Sequence, residues 1–231
     1  MVQDLNFDKK SKTNLSEEVA WYSLVLKKQK SHYDEHGWCI LPTVIPAPLL
    51  DLAREKGQKL RKWIQENNLQ GTPAPYGSGE HWNGLSCAMM YEEELEQCYL
   101  APFMHDIVCT LLDTQTPYLF NDQIVYKMGN DPDFYFDPHY DNQYGPNINN
   151  EIHTVNCSWI LDDHTMENGC MWIGNRPLLA QAGDIICIRG DTIHGSGANL
   201  TDAPRGLYAC VYTESPIELD NFYNIQWTIQ K

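Results

Sequence analysis

At 231 residues the chain has room for one well-buried core and not for two full-sized domains. Hydrophobic residues make up 42% and charged residues 20%, with seven Trp and thirteen Tyr, which excludes a disordered chain. The net charge of −15 is unevenly placed: residues 67–231 carry 22 acids against five bases, Lys127, Arg176, Arg189, Arg205 and Lys231, which disfavours nucleic acid and bulky phosphorylated ligands there.

The opening residues, MVQDLNFDKKSKTN, lack the apolar run of a signal sequence, and no later segment approaches the roughly 20 apolar residues of a membrane span. The expectation is a soluble, cytoplasmic protein with no membrane partner. Eight cysteines are scattered without any C-x-x-C pair or zinc-type spacing, so they read as reduced thiols.

Taken in order, apolar residues at spacings of three and four predict helices over roughly 15–32 and 47–66. Between them GWCILPTVI is a short edge strand ended by Pro46 and Pro48. Residues 71–88, rich in Gly and Pro and bearing Tyr76, His81 and Trp82, read as a long loop, a candidate lid together with 142–151. A third helical stretch, broken near Pro102, covers 91–113. Strand-like runs then follow at 118–128, 152–161, 184–189 and 206–213, with turn-rich segments at 162–170 and 174–183. Helices first and strands afterwards give an α+β, mainly β, single domain whose C-terminal two-thirds is an antiparallel sandwich or barrel, with residues 1–30 peripheral.

The tripeptide His-Tyr-Asp occurs twice. In SHYDEH it sits at a helix end, where residues i and i+2 point about 200° apart, so His32 and Asp34 face away from each other. In DPHYDNQY it follows the extended run FYFDP, in which Pro138 holds Asp137 out of helical space. An extended chain places His139 and Asp141 on one face, where both can reach one ion. A third ligand is needed, and the candidates are His153, His164 and His194. His164, in the turn DDHTMENG, reads most simply as a solvated loop residue. His194 follows the apolar strand DIICIR and is best placed on local grounds. Two histidines and a carboxylate leave three positions open, the arrangement of non-haem Fe(II) enzymes that activate O₂. Arg205, eleven residues after His194 in a region poor in cations, is placed to grip a carboxylate. Alternation puts Asn121, Gln123, Val125 and Lys127 on one strand face, either lining a ligand cavity or facing solvent with Lys127 as a surface charge.

NDQIVYKMG with PHYDNQY, the turn LDDHTMENG, and a distal histidine followed by arginine together resemble the phytanoyl-CoA dioxygenase-like (PhyH) branch of the Fe(II)- and 2-oxoglutarate-dependent oxygenases. The likeness runs from about residue 33 onward and departs at GNRPL, where the family usually has Pro-Gly-Ser-His. It implies a double-stranded β-helix, a cupin-like jelly-roll with flanking helices and the metal inside one open end. It further implies Fe(II) on His139, Asp141 and His194, with 2-oxoglutarate chelating the metal and its distal carboxylate on Arg205, helped by Ser196. Gln123 and Lys127 are further candidates for that pocket. O₂ is consumed, succinate and CO₂ are released, and a C–H bond of the substrate is oxidised, ordinarily to an alcohol, with desaturation or cyclisation open. Related halogenases replace the carboxylate by a small residue, so Asp141 argues against halogenation. Because the catalytic region is so acidic, a CoA thioester is disfavoured and a small polar or cationic metabolite, amino acid or natural-product intermediate preferred. The alternatives are a cupin-like isomerase or direct dioxygenase that does not use 2-oxoglutarate, and a non-catalytic jelly-roll.

Overall fold

The computed structural model describes residues 15–67, 84–86, 88–144, 152–217 and 225–226. Among these residues four α-helices, α1 (Leu15–His36), α2 (Ala47–Glu66), α3 (Glu96–Tyr99) and α4 (Pro102–Leu112), accompany eleven strands. These are β1 (Trp38–Leu41), β2 (Gly84–Ser86), β3 (Tyr118–Lys127), β4 (Phe136–His139), β5 (Thr154–Ile160), β6 (Met171–Ile173), β7 (Arg176–Leu178), β8 (Ile185–Arg189), β9 (His194–Ser196), β10 (Arg205–Thr213) and β11 (Ile225–Gln226).

The helices and long strands lie where hydrophobic periodicity puts them. α2 begins behind Pro46, with Pro48 inside its first turn, where a missing N–H costs nothing. It buries Ala53, Lys56, Gly57, Leu60 and Ile64 on one face. The GWCIL strand is β1, at the edge of its sheet as expected. Pro102 opens α4, which accounts for the break within 91–113. Of the loops expected over 71–88 and 142–151, only 84–86, 88 and 142–144 are among the described residues, so Tyr76, His81 and Trp82 lie outside them.

All pairings are antiparallel and form two sheets. The larger runs β1-β8-β5-β10-β3-β11, with β2 also on β3; the smaller runs β4-β9-β6-β7. This order is the jelly-roll, or double-stranded β-helix. All four strands of the smaller sheet, β4, β6, β7 and β9, have only three or four residues. Such lengths are too short for a period of two to register, and β7 falls inside a segment that reads as turn.

The large sheet is buried on both faces for different reasons. One face carries Leu119, Ile124, Tyr126, Val155, Cys157, Trp159, Cys187, Tyr208, Cys210 and Tyr212, and packs against Leu26, Ala53, Leu60, Met104 and Val108 of the helices in the main core. The other faces the small sheet. At one end it packs Trp38, Ile160, Ile186 and Ile188 against Met171 and Leu178. At the other end the same face turns polar and a cavity opens. The strong alternation of β3, with Asp122, Ile124 and Tyr126 set against Gln123, Val125 and Lys127, is the sequence trace of these two environments.

Candidate active site

The cavity between the sheets is lined on the large sheet by Gln123, Val125, Lys127, Asn156, Ser158, Arg205, Leu207 and Ala209, and on the small sheet by Phe136, His139, Met171 and the His194–Ser196 strand, with Asp141 at the rim. It encloses about 530 Å³, including the solvent at its mouth.

Its histidines are set by strand pairing. β4 and β9 run antiparallel with His139 directly opposite His194 and Phe136 opposite Ser196, and the ring centroids of the two imidazoles are 4.3 Å apart. So close an approach needs a residue without a side chain at Gly195, where a Cβ would sit 2.5 Å from the Trp172 ring and 2.7 Å from the Phe136 carbonyl. The extended run ends at His139, and Asp141 instead opens a 3₁₀ turn over Asp141–Tyr144. The turn is anchored by Asn142, whose N–H donates to the Gly190 carbonyl at 2.9 Å and whose Oδ1 accepts from the Thr154 hydroxyl at 2.7 Å. Gly190 must be small here, because a Cβ would meet Thr154 Oγ1 at 1.8 Å.

Despite that turn the three groups converge. Asp141 Oδ1 lies 3.7 Å from His139 Nε2 and 3.6 Å from His194 Nε2. One donor atom from each residue lies within 4.8 Å of the others, the only such His/Cys/Asp/Glu group among the described residues. Their chemistry fits a divalent metal. His139 Nδ1 is 2.7 Å from the Asp137 carbonyl and His194 Nδ1 is 3.0 Å from the Thr192 carbonyl, so each Nδ1 carries the proton and each Nε2 presents a lone pair to the centre. Burial, then the neighbouring His194, lowers the pKa of His139 and keeps it neutral. Asn156 Nδ2 donates to Asp141 Oδ2 at 3.0 Å, while Ser158 Oγ donates to Asn156 Oδ1 at 3.0 Å, a relay that orients the carboxylate from behind.

Deeper in the cavity lie the two cations. Arg205 pairs with Lys127 across the β10–β3 ladder, and each is only 1% exposed. Like charges in that register repel, and burial adds to the cost. Burial, then Arg205, pushes the pKa of Lys127 down to about 7, and burial lowers that of Arg205 to about 10, so the guanidinium remains charged. Lys127 Nζ donates to the carbonyls of Gly197 at 2.6 Å and Phe134 at 3.2 Å, between the Phe134 and Phe136 rings. Neither cation forms an ion pair with a carboxylate among the described residues. Ser196, buried beside them, and Gln123 line the same cavity.

Thus His139, Asp141, His194, Arg205, Ser196, Gln123 and Lys127 are brought together, and Lys127 is not a surface charge. Neither of the other histidines considered as a third ligand, His153 and His164, joins the metal centre. His153 Nδ1 lies 3.3 Å from Glu214 at the surface, and His32 packs edge-on to Trp38 while Asp34 pairs with Lys30. His164 corrects the expectation of a solvated loop residue: it is 2% exposed, and its Nε2 lies 3.1 Å from an Arg205 nitrogen. The turn that carries it is held inward by a β-bridge to Ala180. Asn156 and Ser158 join the site from the apolar run TVNCSWIL, where polar residues two apart carry the same signal as Gln123 and Lys127.

The family model for phytanoyl-CoA dioxygenase (PhyH) matches residues 33–173, more than half of the chain. The chain belongs to this family. In this PhyH member the matched span holds His139 and Asp141, whereas His194 and Arg205 lie beyond it and are joined to them by the fold. No curated protein matches the chain significantly. Among solved structures, it is similar to the non-heme alpha ketoglutarate dependent epimerase SnoN from nogalamycin biosynthesis, with TM-score 0.67 and 19% identity over 83% of this chain and 84% of that one. It is similar to the carbocyclase SnoK from the same biosynthesis, with TM-score 0.66 and 18% identity over 81% and 83% of the two chains. It also resembles EctD from S. alaskensis with bound Fe, with TM-score 0.64 and 16% identity over 80% and 75%. At these identities the likeness establishes the jelly-roll fold.

Proposed function

We propose that the protein is a non-haem Fe(II)- and 2-oxoglutarate-dependent oxygenase acting on a C–H bond of a small polar metabolite, amino acid or natural-product intermediate. In this reading His139, Asp141 and His194 hold the iron, the other faces of which remain open to co-substrate and O₂. The observation that carries the co-substrate is the buried guanidinium of Arg205 with Lys127 beside it, neither paired with a carboxylate among the described residues, in the cavity that also contains the three metal-binding groups. A dicarboxylic 2-oxo acid bound to the metal at one end would offer its distal carboxylate to these groups, relieving the uncompensated charge. Iron carrying 2-oxoglutarate supplies reductive activation of O₂, with release of succinate and CO₂ and oxidation of the substrate.

The chain's own residues supply orientation. Asn156 and Ser158 fix the Asp141 carboxylate, the Asp137 and Thr192 carbonyls fix the imidazoles, and the apolar walls Val125, Leu207, Met171 and Phe136 limit water around the cavity. The retained carboxylate of Asp141 argues against halogenation. Hydroxylation is the simplest outcome, since it requires no further placement of the substrate. The likeness to an epimerase and a carbocyclase supports keeping C–H oxidation, rather than oxygen insertion alone, as the common step. A catalytic region with 22 acids and five bases favours a neutral or cationic substrate over a CoA thioester.

The test is Fe(II)-dependent release of succinate from 2-oxoglutarate, screened for stimulation by small amines and amino acids. Replacing Arg205 by Ala should raise the KM for 2-oxoglutarate by about 10–100-fold, the worth of a charge-assisted carboxylate contact. Unchanged turnover and KM would favour a jelly-roll metalloenzyme that does not use 2-oxoglutarate.

A further inference from the structure

His164 has no place in the metal centre, yet it is among the most completely enclosed polar side chains of the molecule. It sits in the turn between β5 and β6, its backbone N–H donating to the Ala180 carbonyl at 2.8 Å. Its Nε2 lies 3.1 Å from Arg205 Nη1, and Arg205 Nη2 donates to the Gly169 carbonyl of the same turn at 2.7 Å.

The protonation state follows from the partner. A guanidinium has only N–H donors, so Nε2 must accept, the ring must be neutral, and its proton must be on Nδ1. Among the described residues Nδ1 has no hydrogen-bond partner. A protonated imidazole would instead put a second cation against Arg205 with no solvent to screen it. Burial, then Arg205 and Lys127, holds the His164 pKa well below the usual histidine range, which agrees with this assignment. A buried N–H without a partner is costly, and an apolar residue would avoid that cost. What the imidazole provides in return is one directed acceptor that, with the Gly169 carbonyl, fixes the plane of the guanidinium by two points.

We propose that His164 is a positioning residue for the co-substrate: by accepting the Arg205 hydrogen bond it fixes the orientation in which Arg205 meets the distal carboxylate of 2-oxoglutarate. This rests on the reading of Arg205 as the partner of that carboxylate. The residue does not touch the reacting atoms. Its effect is on affinity for the dicarboxylic 2-oxo acid and not on affinity for a 2-oxo acid that lacks the distal carboxylate.

The experiment is calorimetric titration of the full chain loaded with Mn(II), using 2-oxoglutarate and 2-oxopentanoate, for wild type and for His164→Leu, His164→Gln and His164→Asn. Gln carries an amide oxygen far enough from the backbone to replace Nε2 as acceptor, whereas the oxygen of Asn falls short. Leu and Asn should weaken 2-oxoglutarate about tenfold, the worth of a hydrogen bond to a charged group, with 2-oxopentanoate within twofold of wild type. Gln should restore 2-oxoglutarate to near wild type. Should the Leu variant not fold, the contrast between Gln and Asn carries the same comparison. Equal loss for both acids, or a Gln variant no better than Asn, would overturn the proposal. So would wild-type discrimination preserved in the variants, which would leave the Arg205 reading intact. A wild-type protein that does not distinguish the two acids would overturn that reading as well, and the proposal with it.

Discussion

Asp122 offers a test of the packing that holds the cavity strand in place. It lies on β3 between the inward-facing Asn121 and Gln123 positions, turned toward the main core and fully buried. Its Oδ2 accepts from the Tyr208 hydroxyl at 2.9 Å and from the Met89 N–H at 3.0 Å, tying the Ala88–Met90 turn to the sheet. Burial outweighs these bonds and pushes the carboxyl pKa up to about 6 from 3.8. A carboxyl raised on folding favours the folded state only while protonated. Its contribution is therefore full below about pH 3.8 and is lost as pH rises through about 6. Between pH 4 and 7 this linkage removes about 2.5 kcal/mol of stability. Asp122→Asn keeps an oxygen for both donors and carries no charge. The difference in unfolding free energy between variant and wild type should therefore move in the variant's favour by about 2.5 kcal/mol from pH 4 to pH 7. Urea unfolding of dilute protein at several pH values measures it, and any pH-independent cost of the amide cancels. Parallel profiles for the two proteins would refute the reasoning and place Asp122 in contact with solvent or a cation.

Two further predictions concern the metal centre. Asn156→Ala removes the donor that orients Asp141, and affinity for Fe(II) or Co(II) should fall about 10–100-fold in a competition titration with the fold retained by circular dichroism. Gly195→Ala sets a methyl group into the Trp172 ring and the Phe136 carbonyl, prising β9 from β4. Metal binding should fall with it while the main core, which lies on the far side of the large sheet, melts cooperatively.

The sequence was legible where periodicity and chemistry coincide. Helices α2 and α4 and the long strands β3, β5, β8 and β10 alternate or repeat clearly enough to place, and Arg205 stood out because few cations surround it. Spacing picks out His139 and Asp141, although the extended chain that the spacing implies reaches only His139. The chain leaves the extended conformation at Tyr140, and the pair is brought together by Asn142 bonding to Gly190 and Thr154, contacts some 50 and 12 residues away that no local pattern encodes. The burial of His164 is hidden for the same reason. A polar turn reads as solvated unless the strand it covers is known to begin with a buried arginine. The small sheet was hidden by the shortness of its strands, and its pairing is what sets His139 against His194.

The central claim is that His139, Asp141 and His194 hold iron in a cavity that takes 2-oxoglutarate beside it. Anaerobic addition of Fe(II) and 2-oxoglutarate to the protein, followed by visible absorption, tests it most directly. The account predicts the metal-to-ligand charge-transfer band of a chelated 2-oxo acid in the wild type and its loss in His139→Ala. No band in the wild type, or an undiminished band in the variant, would contradict it.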